Sequence, residues 1–158
     1  MAGVETGNLN HTQNSKTIEY YKLNGKYIGE IAQWALCSGA LGLPMIFLSG
    51  DQAACDEAAD LIPDITTAAV KQGMSRTSAV CLSKEKSCEL IRNQIAQAVR
   101  KHKTTPIKPL VWPGPYTLEK RFFHSHIPDM LTNNPLVKRV DNLTVRLESE
   151  NILDIIYA

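Results

Sequence analysis

The amino-acid sequence predicts an α/β fold shading to α+β, a mixed sheet with flanking helices. Two observations carry that class. In the first half, helix-like and strand-like stretches alternate. In the second half, short β-rich runs separated by turn residues supply antiparallel strands and the helices that cover them. A length of 158 residues suits one domain, with a possible sub-division into an α/β layer at 1–104 and antiparallel strands with helices at 105–158.

The elements follow in chain order. Residues 1–15 are polar and glycine-bearing, without periodicity. Lys16 to Leu23 is rich in β-branched and aromatic residues, and Asn24-Gly25 then predicts a type I′ turn into a return strand, Lys26 to Ile28. From Glu30 the apolar residues Ile31, Trp34, Ala35, Leu36 and Ala40 recur at helical spacing until Gly42 and Pro44 stop the helix. Met45 to Leu48 is a short apolar run that suits a strand buried on both faces. Asp51 is placed to cap a helix over Gln52 to Leu61, ended before Pro63. Ile65 to Val70 reads as a strand and Gly73 to Arg76 as a loop.

Ser83 caps a long amphipathic helix to about His102, with Leu90, Ile91, Ile95, Ala98 and Val99 on its buried face. A connector with four prolines between residues 106 and 115 leads to a strand over Tyr116 to Phe123. A short helix is expected at Ser125 to Leu131. A hairpin follows, Val137 to Val140 and Leu143 to Leu147 around Asp141-Asn142. A last helix is expected from Ser149, with Ile152, Ile155 and Ile156 on one face.

Composition excludes several function classes. With 44% apolar and 21% charged residues and a net charge of +1, no overall field would gather nucleic acid or an anionic membrane. No stretch is apolar enough to span a membrane, and the start lacks the pattern of a signal peptide. Cys37, Cys55, Cys81 and Cys88 form no CxxC pair. Three of them fall in helix-like windows as small apolar residues, which favours a reducing, cytoplasmic setting.

Several polar groups then compete as functional residues. Glu30, directly after Gly29, is either a first-turn glutamate favoured by the helix dipole or a carboxylate aimed at a metal or proton from a rigid strand-helix junction. His11 lies among small polar residues in "NHTQNS", where it is either solvated or catalytic. His124 and His126 in "HSH" would make half a metal site if extended, with no third ligand near in sequence. His102 reads as part of the basic end of its helix. "SGDQAACDEA" fits a capped structural helix better than a phosphate-binding turn, and Lys71 and Arg76 either bind a carboxylate or line an interface. Ser75, Ser78 and Ser83 lack a GxSxG context. A nucleotide-binding α/β domain is disfavoured because no glycine-rich phosphate turn is present.

Taken together, "NHTQNSKTIEYYKLNGKYIGEIAQWALCSGALGLPMIFLSGDQAACDEA" and "LIPDITTAAVKQGMSRTSAVCLS" resemble the C-terminal part of the M55 metallopeptidases, the dipeptide-transport-type D-aminopeptidases. The resemblance runs from about Met1 to Phe123 and continues more weakly through "VKRVDNLTVRLES". It implies a zinc-dependent aminopeptidase that removes N-terminal residues, often D-amino acids, from short peptides with two zinc ions. It makes Glu30 a zinc ligand and His11 the catalytic histidine. The family's remaining ligands come from an S-x-D-x-E-G strand and two histidines. No S-x-D-x-E-G occurs here, so residues 1–158 are expected to be a C-terminal portion with the N-terminal metal-binding half absent and the zinc site incomplete. His124 and His126 match no family ligand position. A homo-oligomer is expected, because removing that half exposes apolar surface. The alternative is a non-catalytic truncated or oligomerisation module without bound metal.

Overall fold

A computed structural model describes residues 1–158. In chain order the elements are β1 (Ile18–Leu23), β2 (Lys26–Ile28), α1 (Glu30–Ala40), β3 (Phe47–Asp51), α2 (Gln52–Leu61), β4 (Thr66–Ser75), β5 (Ser78–Cys81), α3 (Lys84–Thr104), β6 (Tyr116–Phe122), α4 (His126–Leu131), β7 (Lys138–Arg139) and β8 (Thr144–Ser149), then a single 3-10 turn at Ile152–Asp154. They form two compact units where length alone suggested one domain. The first comprises residues 1–2, 11–37 and 111–158, and the second residues 3–10 and 38–110. In this partition β1, with β2 on its other edge, pairs with β6 instead of joining the α/β layer.

The first unit is built on a five-stranded antiparallel sheet in the order β2-β1-β6-β8-β7. Asn24 and Gly25 both take positive φ, 49° and 80°, as a type I′ turn requires. Asn24 also ties this turn to the start of β6. Its side-chain oxygen accepts from the Thr117 N–H at 2.7 Å, and its backbone N–H donates to the Thr117 carbonyl at 2.9 Å. One face of the sheet is apolar: Leu23, Leu118 and Leu147 stand in register and are buried. The other carries ion pairs, Arg121 with Glu19 and Asp141, and Arg146 with Glu119. That division is the ordinary outcome of period-2 alternation on a half-covered antiparallel sheet.

One position breaks the apolar face. Lys120 occupies the row Ile28, Tyr21, Lys120, Val145, all four buried. Its ammonium lies 5.1 Å from the centroid of the Tyr21 ring, a cation-π contact that recovers part of the lost hydration. Burial pulls the ammonium down to about 8.

The second unit holds the three-stranded sheet β3-β4-β5. β3 and β4 are parallel and connected by α2, a βαβ arrangement, and β5 returns antiparallel. Asp51 caps α2 as expected, accepting from the Ala54 N–H at 2.8 Å. Its other carboxylate oxygen accepts from the Asn8 N–H at 2.8 Å, which fastens the leading segment. Gly73 allows that segment to lie close: a Cβ there would sit 1.9 Å from the Thr6 carbonyl oxygen. Gly39, near the end of α1, meets the Leu110 carbonyl oxygen in the same way.

Several sequence expectations need correction. β3 begins later than Met45 and runs to Asp51, shifted toward its cap. Residues 73–75, expected in a loop, are strand, because β5 gives β4 an edge partner and Ser75 and Ser78 bond across the turn at 2.8 Å. On α1 the buried side is Ala32, Gln33, Ala35 and Leu36, while Trp34 is 56% exposed. On α3 only Ala98 of the expected apolar face is fully buried, and Ile95 and Val99 are exposed. Cys88 is exposed too, so the helix-borne cysteines are not uniformly buried, although all four are free thiols. The last helix is one 3-10 turn, yet Ile152, Ile155 and Ile156 are buried as expected.

Two substitutions test this packing. Gly39→Ala forces a methyl onto a backbone carbonyl and is expected to lower unfolding free energy by about 3 kcal/mol in urea denaturation. Lys120→Met is expected to act in the opposite direction. The folded ammonium releases its proton near 8 and the unfolded one near 10.5, so this group's contribution is greatest above pH 10.5 and is lost as pH falls through 8. At pH 7 the charged form is buried at full cost. Its replacement should stabilise the protein by up to about 3 kcal/mol and flatten the pH dependence between those values.

Candidate functional site

Glu30 is the first residue of α1, and Gly29 before it accepts the first helical bond from the Gln33 N–H at 3.0 Å. The hairpin β1-β2 delivers the chain to this point, so the carboxylate stands at a corner held by sheet on one side and helix on the other. His11 comes from the segment preceding β1. The structure brings the two together: His11 Nε2 lies 3.5 Å from Glu30 Oε1, with both side chains a little under half exposed.

The histidine segment is held from within the first unit. Thr12, beside His11, is buried, and its hydroxyl accepts from the Ala2 N–H at 3.1 Å. Gln13 follows with φ 57°, a left-handed conformation that an L residue adopts only when its surroundings impose it. Asn14 closes the turn into β1, its carbonyl accepting from the Ile18 N–H at 3.0 Å.

Two phenols feel the Glu30 carboxylate. Tyr21 is pushed up to about 12, by burial first and by Glu30 second. Tyr157 is also raised, by burial first, then by Cys37 and Glu30. Neither tyrosine stood out in the sequence. Tyr21 was hidden in an ordinary strand pattern, and Tyr157 in the final residues. Gln33 was also missed, although a visible signal existed: it is a polar residue at the turn spacing from Glu30 in a mostly apolar helix.

The other candidates take structural roles or stand apart. The His124 and His126 rings stack at 5.7 Å, and no third metal-binding side chain joins them. His102, expected as part of a basic helix end, accepts the Ile107 N–H on Nδ1 at 3.1 Å and so ties down the chain after α3. Asp51 spends both carboxylate oxygens on backbone N–H groups. Lys71 lines a shallow surface groove of about 190 Å³ with Gln52, Val80 and Cys81.

The M55 D-aminopeptidase family matches residues 1–158. The chain belongs to this family. A curated relative, the D-aminopeptidase of Bacillus subtilis (strain 168), is 37% identical over 93 residues, covering 58% of this chain and 34% of the relative. A solved structure, the Zn-dependent D-aminopeptidase DppA from Bacillus subtilis, a self-compartmentalizing protease, superposes with a TM-score of 0.88 at 27% identity. That match covers 99% of this chain and 56% of DppA. The M55 chain described by these 158 residues thus spans about half of the solved relative and a third of the curated one.

Whether these residues suit zinc depends on the donors they bring together. His11 and Glu30 are nitrogen and oxygen donors of the type zinc accepts, but a catalytic zinc takes three protein ligands. No group of three or more His, Cys, Asp or Glu side chains converges anywhere in the chain. His11 and Glu30 are the pair of such donors that the structure brings together at this corner.

The electrostatic link between Glu30 and Tyr21 can be measured. Glu30→Gln should lower the Tyr21 phenol from about 12 toward 10 without reaching it, because burial is the larger cause. Carbon NMR of labelled tyrosine reads the midpoint. The sign for stability follows: the folded phenol holds its proton to higher pH than the unfolded one. Its contribution is complete below pH 10 and is lost as pH rises through 12.

Proposed function

We propose that this chain carries one part of an M55 aminopeptidase site that removes N-terminal amino acids, D-residues among them, from short peptides. The observation that supports the reading is the approach of His11 to Glu30 at 3.5 Å, on a segment pinned by Thr12 and a helix mouth pinned by a hairpin. In this reading Glu30 is a zinc ligand, and the further ligands of a two-zinc site come from polypeptide outside the 158 residues. His11 is the catalytic histidine. Its side chain is nearly half open to solvent, so a peptide can approach it, and an imidazole so placed can pass a proton or steady a developing oxyanion.

The substrate chemistry follows the family, with a short peptide as the partner. The self-compartmentalizing habit of DppA supports a homo-oligomer here as well. Four free thiols and the absence of any helix long and apolar enough to cross a membrane accord with a cytoplasmic setting.

A second reading has one observation in its favour. With only two donors brought together, the chain can be a folded module that binds no metal and catalyses nothing. Elemental analysis and turnover of a D-alanyl amide separate the two. On the peptidase reading, a full-length version that supplies the further ligands retains zinc, and His11→Ala and Glu30→Ala in it each lower turnover by at least about a hundredfold. Unchanged turnover in either variant removes the site assignment, and a zinc-free, inactive full-length version establishes the module.

A further inference from the structure

We propose that Gln33 is a positioning residue whose buried amide sets the separation of His11 and Glu30. The inference rests on the site reading above for its functional meaning, but its geometry stands independently. Gln33 is 1% exposed. Its side-chain oxygen accepts from Gln13 Nε2 at 2.6 Å, and its own Nε2 donates to the Ile156 carbonyl at 2.8 Å. A buried amide with both ends engaged has one orientation, because reversing it would set donor against donor and acceptor against acceptor.

The placement of the two bonds gives the amide its role. Gln33 lies three residues after Glu30, one turn along the same side of α1. Gln13 lies two residues after His11. The Gln13-Gln33 bond therefore joins the histidine segment to the helix within a turn of each functional side chain. It also restrains the left-handed backbone at Gln13, φ 57°, which a free loop would relax. The second bond brings in the chain's last residues. Tyr157, directly after Ile156, is the exposed phenol that feels the Glu30 charge. One amide thus holds three segments around the His11-Glu30 pair: the loop before β1, the mouth of α1 and the residues following the 3-10 turn.

Nothing in the chemistry of Gln33 makes it a participant in bond breaking. It acts through His11, and its loss should displace the imidazole without removing any reacting group. A misplacement of about 1 Å can cost up to roughly a hundredfold in rate.

The test uses the isotope-labelled 158-residue protein and needs neither metal nor turnover. Wild-type protein should show a nuclear Overhauser effect between a His11 ring proton and the Glu30 side-chain methylenes. Gln13→Ala removes the donor from an exposed side chain, so the fold survives, and the effect should fall at least about fivefold. Gln13→Lys restores a donor toward the Gln33 oxygen and should restore the effect. Gln33→Met should abolish it and also shift the Ile156 and Tyr157 resonances. If Gln33→Met fails to fold, the Gln13 pair decides alone. A signal that is absent from wild type, survives in Gln13→Ala, or is not recovered by Gln13→Lys overturns the proposal. Where wild type is active, Gln13→Ala should lower kcat about tenfold with KM little changed. An inactive full-length wild type, with the same NMR pattern in the 158-residue protein, sinks the peptidase reading and leaves the positioning role intact.

Discussion

The pairing of β1 with β2 on one side and β6 on the other is the constraint on which the candidate site depends. A two-residue turn with both φ angles positive fixes the register of β1 against β2. Asn24 then fastens the same turn to β6 through backbone and side chain together. The chain leaves β2 at Ile28 with its direction already determined, and Glu30 follows two residues later at the start of α1. The backbone that carries the carboxylate is therefore fixed from both sides, which is how a scaffold positions a side chain.

The same sheet tolerates a costly residue. Lys120 stands in a row whose other members are Ile28, Tyr21 and Val145. A fully buried ammonium without an acidic partner is costly, as the fall of its pKa to about 8 records, and the Tyr21 ring limits that cost by offering its face. Tyr21 therefore sits between two polar demands, the lysine on one side and the influence of Glu30 on the other, and remains a neutral phenol throughout the physiological range. The apolar face of the sheet is thus less uniform beside the candidate site than in the leucine row above it.

How much of this was legible in the sequence depends on the range of the interaction involved. The Asn24-Gly25 hairpin, the helix start at Glu30, the Asp51 and Ser83 caps and the β6 strand all declare themselves through local chemistry, and the structure has each of them. The errors lie where a distant partner decides. β4 extends through Ser75 because β5 returns alongside it, and the final segment stops after one 3-10 turn although its isoleucines are buried. On α1, Trp34 recurs at helical spacing with the other apolar residues, yet the buried side is Ala32, Gln33, Ala35 and Leu36 and the indole is exposed.

For the site, the motif order in the sequence pointed to the M55 family, and that resemblance in turn singled out His11 and Glu30, which local chemistry alone left open between structural and functional roles. Only the tertiary structure decided that these two side chains meet, that Thr12 and Gln33 hold the segment that brings them together, and that Tyr21 and Tyr157 feel the same carboxylate. The physical reason is separation along the chain. His11 and Glu30 are nineteen residues apart and Gln33 and Ile156 are more than a hundred. Contacts at that distance are selected by packing and by the need to satisfy buried polar groups, neither of which leaves a periodic trace in the sequence.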